Sequence, residues 1–286
     1  MNRNENNQKG KVVLAGAGPG DPELISVKAA RYLQRADVVL TDRLVSPEIL
    51  EEYVRPETEL VYVGKQCRRG ASTPQETINE LMVRYASAGK LVVRLKGGDV
   101  SVFSNILDEL QVLVQAAIPY EIIPGISAAL GAAAYAGIPL TARGYSTAIR
   151  FLTYYKSDVV TDAYWKELAV TEDTLVFYMS SETLGSVVDH LLRQGRSPDT
   201  RLAVIEQATT PLQQVHTVSL QDYAEAWKDR SFRSPSLVII GKTVALHEQF
   251  AWMPNAEGGG HYFEPLSGSI KHLLTPNNET AYAGRA

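Results

Sequence analysis

A glycine-rich turn at residues 16–22 is the segment of this chain best suited to hold a ligand. It reads Gly-Ala-Gly-Pro-Gly-Asp-Pro and follows a short apolar run. Its three glycines permit positive φ angles and a close approach of backbone to ligand, and its two prolines stiffen the turn. The spacing departs from the dinucleotide fingerprint Gly-x-Gly-x-x-Gly, because the third glycine comes one residue early. This spacing argues against a nicotinamide dinucleotide as the ligand.

Four further turns follow apolar, strand-like runs, and each carries polar or charged residues. They are Thr41-Asp42-Arg43-Leu44, Gly64-Lys65, Lys96-Gly97-Gly98-Asp99 and the run Pro-Gly-Ile-Ser-Ala-Ala at 124–129. In open α/β sheets, ligands bind outside the carboxyl ends of the strands. A single such turn needs no functional explanation, since strand-to-helix loops use glycine anyway. Four turns in register predict a shared ligand cleft.

Residue arrangements typical of hydrolases and metalloenzymes are missing from the sequence. It contains no Gly-x-Ser-x-Gly elbow and no Gly-x-x-x-x-Gly-Lys-Ser/Thr phosphate loop. The five histidines lack the spacing of metal ligands, and the single cysteine, Cys67, excludes an internal disulfide and a cysteine-rich metal site. We therefore expect no metal, and a transferase that acts by positioning its reactants.

The elements that position these turns fall into two halves. In the first half, strands alternate with amphipathic helices, which indicates a mostly parallel α/β sheet. The second half is richer in β-type runs, which favours a mixed sheet. The ten predicted strands are Lys11–Ala15, Val38–Thr41, Leu60–Val63, Leu91–Leu95, Tyr120–Ile123, Ala148–Tyr154, Thr174–Met179, Leu202–Gln207, Gln214–Val218 and Ser236–Gly241.

The composition changes around residues 138–150, which we take as a domain boundary. After Met253 the chain turns to glycine and small polar residues. We accordingly expect a flexible N-terminus (1–10), an N-terminal α/β domain (11–140), a C-terminal α/β domain (141–253) and a poorly ordered tail (254–286).

Composition and charge are those of a soluble globular protein. Of the 286 residues, 45% are hydrophobic and 21% are charged. The net charge of −4 provides no overall basic field to recruit nucleic acid or an anionic membrane. No apolar run reaches membrane-spanning length, and residues 1–7 lack the apolar core of a signal peptide. We expect a cytoplasmic protein.

Taken together, the motifs resemble the tetrapyrrole methylase family. The matching pieces are 16–22, 42–46, 63–65, 93–99, 124–129, 136–141, 175–179, 205–211 and 234–237. They occur in order from about residue 11 to about residue 246, and they are most similar to members that methylate uroporphyrinogen III at carbon. The resemblance implies a two-domain α/β fold with a mostly parallel N-terminal sheet, a mixed C-terminal sheet and an active-site cleft between them.

The resemblance also implies S-adenosylmethionine as cofactor, S-adenosylhomocysteine as product and a homodimer. Family members bind the cofactor folded, largely through backbone groups. Met179 on its own would be taken for a core residue, but its place at a strand end inside a family motif favours cofactor binding. Carried over by position, the cofactor residues are Pro19, Gly97, Gly98, Asp99, Val102, Ser127, Ala128, Met179 and Ala208.

Three candidate catalytic residues come from the same resemblance. In the family, residues matching Asp42 and Lys65 have been proposed for proton acceptance and donation. Asp42 could equally cap a helix, and Lys65 could bind a substrate carboxylate. Asp108 stands where relatives have a glutamate thought to act near the substrate.

A substrate with eight carboxylates needs a local basic lining in this acidic protein. Arginine forks bind such groups through paired hydrogen bonds. Arg143 matches a family arginine associated with substrate binding, and Arg150 is a second candidate. Asn105 is a third candidate, although it replaces the arginine usual at that position.

The resemblance implies a C-methyltransferase that adds two methyl groups to uroporphyrinogen III, giving precorrin-2 for sirohaem or cobalamin synthesis. A close alternative keeps the fold and cofactor but acts on another corrin-pathway intermediate. Ribosomal RNA methylation, known in the wider family, is disfavoured by the net charge. An NAD-dependent oxidoreductase is disfavoured by the glycine spacing. A non-catalytic ligand-binding protein stays open because of Asn105.

Overall fold

Five strands pair in parallel to form the first sheet. In the computed structural model, which describes residues 9–64, 73–155, 160–227 and 229–263, their order is β3-β2-β4-β1-β5. The central strands are mostly apolar because helices cover both faces of a parallel sheet. The strands are β1 (Lys11–Gly16), β2 (Val38–Thr41), β3 (Glu59–Tyr62), β4 (Leu91–Lys96) and β5 (Tyr120–Ile123).

Four helices cover this sheet, two on each face. α1 (Val27–Leu33) and α2 (Pro47–Tyr53) pack on one face, and α3 (Gln75–Ser87) and α4 (Ile106–Gln115) pack on the other. The neighbouring strands β1 and β4 therefore send their helices, α1 and α4, to opposite faces. This arrangement opens a crevice between their carboxyl ends, where ligands bind in open α/β sheets.

The second sheet is mixed, as the sequence predicts. Its order is β6-β7-β10-β8-β9; β6 and β7 run parallel, and the other neighbours are antiparallel. Its strands are β6 (Ile149–Thr153), β7 (Thr174–Tyr178), β8 (Arg201–Glu206), β9 (Gln214–Ser219) and β10 (Ser236–Ile240).

Helices from both halves of the chain cover the second sheet. The first to do so is α5 (Ala128–Tyr135), which follows β5 and packs its alanines on one face of the sheet. The other face is covered by α6 (Asp162–Val170), α7 (Leu184–Arg193) and α8 (Tyr223–Trp227), and a short α9 (His247–Phe250) follows β10. Because α5 enters the core of the second sheet, it ties the two halves together. None of the helices in the described part of the chain is long and apolar enough to cross a membrane.

Residues 254–263, which the sequence analysis assigns to a poorly ordered tail, make defined contacts; we call them the C-terminal strap. Asn255 binds the backbone of Val215 on β9 with both ends of its amide. Its Oδ1 accepts from the Val215 N–H at 2.6 Å, and its Nδ2 donates to the Val215 carbonyl at 3.0 Å. The rest of the expected tail (264–286) and residues 1–8 of the expected flexible N-terminus lie outside the described residues.

Tyr262 connects the strap to the first domain by hydrogen bonds. Its N–H donates to Gln207 Oε1 at 2.7 Å, in the loop after β8. Its hydroxyl lies 2.8 Å from Ser46 Oγ and also contacts the Glu48 carboxylate. The strap therefore links the end of the second sheet to the start of α2.

Candidate active site

Three glycine turns meet at the carboxyl ends of β1, β4 and β5. The Gly98 N–H donates to the Gly18 carbonyl at 2.7 Å, and the Gly18 N–H donates to the Gly98 carbonyl at 3.1 Å. A Cβ atom on Gly16 would lie 2.6 Å from both Gly125 N and Gly98 O, so no side chain fits there. The turns can pack this closely only because these residues are glycines. The result is a crevice lined by backbone.

The Asp99 carboxylate accepts hydrogen bonds from two of these turns. Its Oδ1 accepts from the Ser101 N–H at 2.8 Å, and its Oδ2 accepts from the Gly125 N–H at 2.9 Å. Burial raises the pKa of Asp99, but the hydrogen bonds from Ser101 and Gly125 outweigh burial and hold it below its ordinary value of 3.8. The ionised carboxylate therefore fixes the geometry of the crevice.

The turn at 16–22 also reaches the second domain. Pro19 packs directly on Gly131 of α5, where an added Cβ would come within 2.5 Å of Pro19 Cγ. The Asp21 N–H donates to Thr209 Oγ1 at 3.1 Å, in the loop after β8. The same loop contains Ala208, so the turn is held against one of the predicted cofactor residues.

The second domain contributes backbone in a rarely used conformation. Met179 directly follows β7 with φ at 52°, and its side chain is 51% exposed. The Tyr155 hydroxyl donates to Met179 Sδ at 2.9 Å. Gln207 and Thr209, on either side of Ala208, have φ angles of 47° and 64°. Such left-handed residues other than glycine cluster at functional sites.

Ser127 and Tyr178 join the two domains beside the crevice. Their hydroxyls lie 2.6 Å apart, and the Ala129 N–H donates to Tyr178 Oη at 3.1 Å. Burial raises the pKa of Tyr178, so its hydroxyl stays protonated at neutral pH. The Phe103 ring lies 5.0 Å from the Tyr178 ring and is 45% exposed, while Val102 packs against the second core. Ala128, the remaining predicted cofactor residue, is the first residue of α5.

Four charged side chains form a cluster beneath this edge of the first sheet. Arg94 donates from Nη2 to Asp42 Oδ1 at 2.7 Å and from Nε to Glu109 Oε1 at 3.0 Å. Lys96 donates from Nζ to Glu109 Oε2 at 2.8 Å. Three of the four side chains are buried, with at most 4% of their surface exposed, whereas Asp42 is 27% exposed. We call these four residues the buried charge cluster.

The pKa values of the two cations in the cluster shift in opposite directions. Burial lowers the pKa of Lys96, and the nearby Arg94 lowers it further. Burial also disfavours the charged form of Arg94, but the carboxylates of Asp42 and Glu109 outweigh burial and raise its pKa. The cluster pairs two cationic side chains with two carboxyl groups, and an uncompensated charge in a buried site would be costly.

Sequence reasoning missed Arg94, Lys96 and Glu109. A signal was present, because two cations stand two residues apart in the otherwise apolar strand β4 and so point to the same face of the sheet. Asp108, the predicted catalytic residue, is exposed on the first turn of α4, while its neighbour Glu109 faces the sheet.

The predicted substrate residues lie in different surroundings. Asn105 precedes α4 with φ at 54°, a conformation that asparagine tolerates better than most residues. Arg143 is exposed and forms no ion pair within the described residues. Arg150, by contrast, is bound to Asp173 at 2.6 Å and also to the Glu167 carboxylate.

Arg150 lies at the other end of the second sheet from the predicted cofactor residue Met179. It lies near the start of β6, paired in register with Leu175, whereas Met179 follows the opposite end of β7. Lys65, the predicted proton donor, lies outside the described residues.

Comparison with known proteins settles the family. Residues 11–224 match the family model described as Tetrapyrrole (Corrin/Porphyrin) Methylases. The chain belongs to this family. The family and the two-sheet fold inferred from the sequence are thereby confirmed.

Among curated proteins, the chain is similar to siroheme synthases. It is 46% identical to that of Pseudomonas fluorescens (strain Pf0-1) over 249 residues, which cover 87% of this chain and 53% of the relative. It is 47% identical to that of Acinetobacter baylyi over 245 residues, or 86% of this chain and 53% of the relative. The chain thus spans about half the length of the curated relatives it matches.

Among solved structures, this chain is similar to uroporphyrin-III C-methyltransferase from Thermus thermophilus. One such structure has a TM-score of 0.71 and 34% identity. The match covers 86% of this chain and 98% of that structure's chain. Another, complexed with S-adenyl homocysteine, has a TM-score of 0.69 and 36% identity. The match covers 82% of this chain and 93% of that structure's chain. A structure of cobalt precorrin-4 methyltransferase has a TM-score of 0.72 and 27% identity. The match covers 82% of this chain and 95% of that structure's chain.

Proposed function

We propose that this protein is an S-adenosylmethionine-dependent C-methyltransferase that converts uroporphyrinogen III into precorrin-2 by two methyl transfers. The product would feed sirohaem or cobalamin synthesis. The observation that carries the proposal is the backbone-lined crevice at Gly16, Gly98 and Gly125. It occurs in a chain similar to a uroporphyrin-III C-methyltransferase solved with S-adenyl homocysteine.

The residues present fit the proposed cofactor. The glycine turns bring closely packed backbone to the carboxyl ends of β1, β4 and β5, where ligands bind in open α/β sheets. The left-handed residues Met179 and Gln207 directly follow β7 and β8 of the second sheet. The residues that would hold the cofactor are Pro19, Gly97, Gly98, Asp99, Val102, Ser127, Ala128, Met179 and Ala208.

When bound, S-adenosylmethionine supplies an electrophilic methyl group on a sulfonium whose positive charge disperses during transfer. The chain's own contribution is to position donor and acceptor and to exclude water. The partly exposed Phe103 and Met179 provide apolar surface for that purpose. No strong protein nucleophile is required, which agrees with the absence of nucleophile motifs from the sequence.

Asp42 is proposed as the acceptor of the proton released from the methylated pyrrole. Its Oδ1 is bound by Arg94, whereas its Oδ2 accepts no hydrogen bond from the described residues. One carboxylate oxygen is thus fixed and the other is available, as general base catalysis requires. Lys65 is proposed as the proton donor, and Asp108 as a further catalytic group near the substrate.

Arg143 and Asn105 are proposed to bind the carboxylates of the tetrapyrrole. Arg143 is exposed and has no ion-pair partner among the described residues, so its guanidinium is available for bidentate hydrogen bonds. Arg150 stays a candidate that would first have to release Asp173 and Glu167. No nucleic acid or membrane partner is proposed.

We further propose a cytoplasmic homodimer. Leu130, Phe250 and Trp252 are 49%, 50% and 62% exposed, and Leu130 and Phe250 border a groove with Pro139 and Leu140. Exposed apolar patches of this kind mark protein–protein interfaces. Light scattering after size-exclusion chromatography would show a species of twice the 31.4 kDa chain mass. A single 31.4 kDa species at micromolar concentration would contradict the dimer.

The proposed activity can be tested directly under anaerobic conditions. The protein is incubated with uroporphyrinogen III and S-adenosylmethionine, and the product is followed by mass spectrometry and by fluorescence after oxidation. We expect two added methyl groups and the spectrum of precorrin-2 or its oxidised form. Calorimetry with S-adenosylhomocysteine is the companion measurement. Cofactor binding without methylation would contradict the proposed substrate, and binding of NAD alone would contradict the reaction class.

A second candidate keeps the fold and cofactor but changes the acceptor to another corrin-pathway intermediate. It is favoured by the similarity to cobalt precorrin-4 methyltransferase at a TM-score of 0.72. Substrate competition distinguishes the two candidates: uroporphyrinogen III should outcompete later corrin intermediates for methylation. The reverse preference would favour this second candidate.

A further inference from the structure

We propose that Arg94 and Glu109 are positioning residues that hold the Asp42 carboxylate in the orientation in which it accepts the substrate proton. The inference rests on the proposed function, because it assigns Asp42 that task. It adds two residues that sequence motifs did not single out and gives the buried charge cluster a role in the reaction.

The guanidinium of Arg94 is fixed through all three of its nitrogens. Nη2 donates to Asp42 and Nε donates to Glu109. Nη1 donates to the carbonyls of Leu40 at 3.3 Å and Leu95 at 3.1 Å, on β2 and β4. A planar group held on three sides has one orientation. The direction from which it approaches Asp42 is therefore set by the sheet and by Glu109.

Glu109 is the counter-ion that keeps this arrangement buried. It is fully buried on the sheet-facing side of α4, and each of its oxygens accepts from one cation, Arg94 or Lys96. Without its charge, two cations would face one partly exposed carboxylate. Removing one partner from a buried ion pair leaves an uncompensated charge and is strongly destabilising.

A purely structural role predicts a loss of stability when either cation is removed, but no specific loss of kcat when Arg94 is removed. Arg94 and Lys96 lie on the same strand, are both buried, and bind the same carboxylate. Only Arg94 also binds Asp42. This difference provides a matched pair of variants, Arg94→Gln and Lys96→Gln, each of which removes one buried cation.

The test places both variants in the wild-type and Asp42→Asn backgrounds. Thermal unfolding, S-adenosylhomocysteine affinity, kcat and KM are measured for each full-length protein. We expect a larger loss of Tm for Arg94→Gln, because it also leaves the carbonyls of Leu40 and Leu95 without their donor. Cofactor affinity should be unchanged in both single variants, with kcat about 10²-fold lower for Arg94→Gln than for Lys96→Gln. In the Asp42→Asn background, Arg94→Gln should cause no further loss of kcat, because coupled residues are not additive.

Two additional experiments keep the result interpretable. Arg94→Lys retains the charge without the planar fork, so it should fold where Arg94→Gln does not and should still lower kcat. Crystal structures of the two variants with S-adenosylhomocysteine report the orientation of Asp42 without depending on activity. We expect the carboxylate to turn away in Arg94→Gln and to keep its place in Lys96→Gln.

The outcomes separate this inference from the proposed function. Equal kcat losses in the two single variants, additive losses with Asp42→Asn, or an unmoved Asp42 carboxylate in Arg94→Gln would overturn the positioning role. Full activity of Asp42→Asn, or no methylation of uroporphyrinogen III by the wild type, would overturn the proposed function instead. In the latter case the crystal structures still decide whether Arg94 orients Asp42.

Discussion

The hydroxyl of Ser127 lies 2.6 Å from the hydroxyl of Tyr178, in a buried contact between the start of α5 and the end of β7. Tyr178 Oη also accepts the N–H of Ala129. One phenol group thus satisfies two polar groups at the first turn of α5. This contact holds α5, whose N-cap Ser127 and first residue Ala128 are predicted cofactor residues, against the second sheet.

Tyr178→Phe should therefore destabilise the protein and weaken cofactor binding. The Ala129 N–H and the Ser127 hydroxyl would lose their buried partner, which costs about 1–3 kcal/mol. Urea unfolding measures the first effect, and calorimetry with S-adenosylhomocysteine measures the second. Tyr145→Phe is the control, since Tyr145 is 40% exposed and its replacement should stay within about 0.5 kcal/mol. Equal effects of the two replacements would contradict the role given to Tyr178.

Gly16→Ala should abolish cofactor binding. The new Cβ would collide with backbone atoms of Gly98 and Gly125, which cannot move without separating the turns of β4 and β5. Gly185→Ala is a matched control in α7, because its Cβ would lie 3.5 Å from the nearest atom, Tyr223 Oη. This control should gain up to about 1 kcal/mol from helix propensity and keep full cofactor affinity. Unchanged affinity in Gly16→Ala would place the cofactor elsewhere.

Arg143→Ala should weaken tetrapyrrole binding by about 10- to 10²-fold and leave cofactor affinity nearly unchanged. The factor corresponds to a lost charge-assisted hydrogen bond. Fluorescence titration with the oxidised substrate, uroporphyrin III, and calorimetry with S-adenosylhomocysteine give the two affinities. Arg150→Ala is the comparison, because Arg150 is already bound to Asp173 and Glu167. If Arg143→Ala weakened both ligands equally, its assignment to the substrate would be refuted.

Glu121 should make a pH-dependent contribution to stability. Hydrogen bonds from Lys11, Lys28 and Tyr32 lower its pKa from 4.5 to about 2. Because the folded-state pKa is the lower one, the contribution is fully present above pH 4.5 and is lost as the pH falls towards about 2. The stability difference between wild type and Glu121→Gln should follow this course in urea unfolding at a series of pH values.

A suitable control for that series is Glu57→Gln. Glu57 is 64% exposed in an ion pair with Arg55 at 3.2 Å, and such surface pairs contribute about 0–1 kcal/mol. Its replacement should give a small difference with little dependence on pH. A difference for Glu121→Gln that stayed constant from pH 7 to pH 2 would contradict the role of its three donors.

The strands could be predicted from the sequence because each is a short apolar run that ends at a turn residue. All ten predicted strands agree with the observed ones within one residue at each end. The α6 helix was not predicted from the sequence. Its apolar residues Trp165, Leu168 and Ala169 define a face only once the sheet beneath them is known.

The candidate site was predictable where it consists of backbone and not where it depends on tertiary pairing. The glycine turns follow from the positions of the strand ends. By contrast, the choice between Asp108 and Glu109 depends on where α4 begins, and a shift of one residue rotates a side chain by about 100°. Likewise, Asn255 contacts a residue forty positions away and Tyr262 contacts one more than two hundred positions away, and no local pattern encodes such contacts.

The C-terminal strap also bears on the order in which the protein can be assembled during synthesis. Tyr262 contacts Glu48, 214 residues earlier in the chain. At typical rates of translation, Tyr262 is synthesised roughly 10–40 s after α2. The first sheet can form as soon as its own strands have emerged, whereas the contact between the strap and α2 cannot. The cleft between the domains is therefore completed late, once the second sheet has been synthesised and the strap has crossed back to α2.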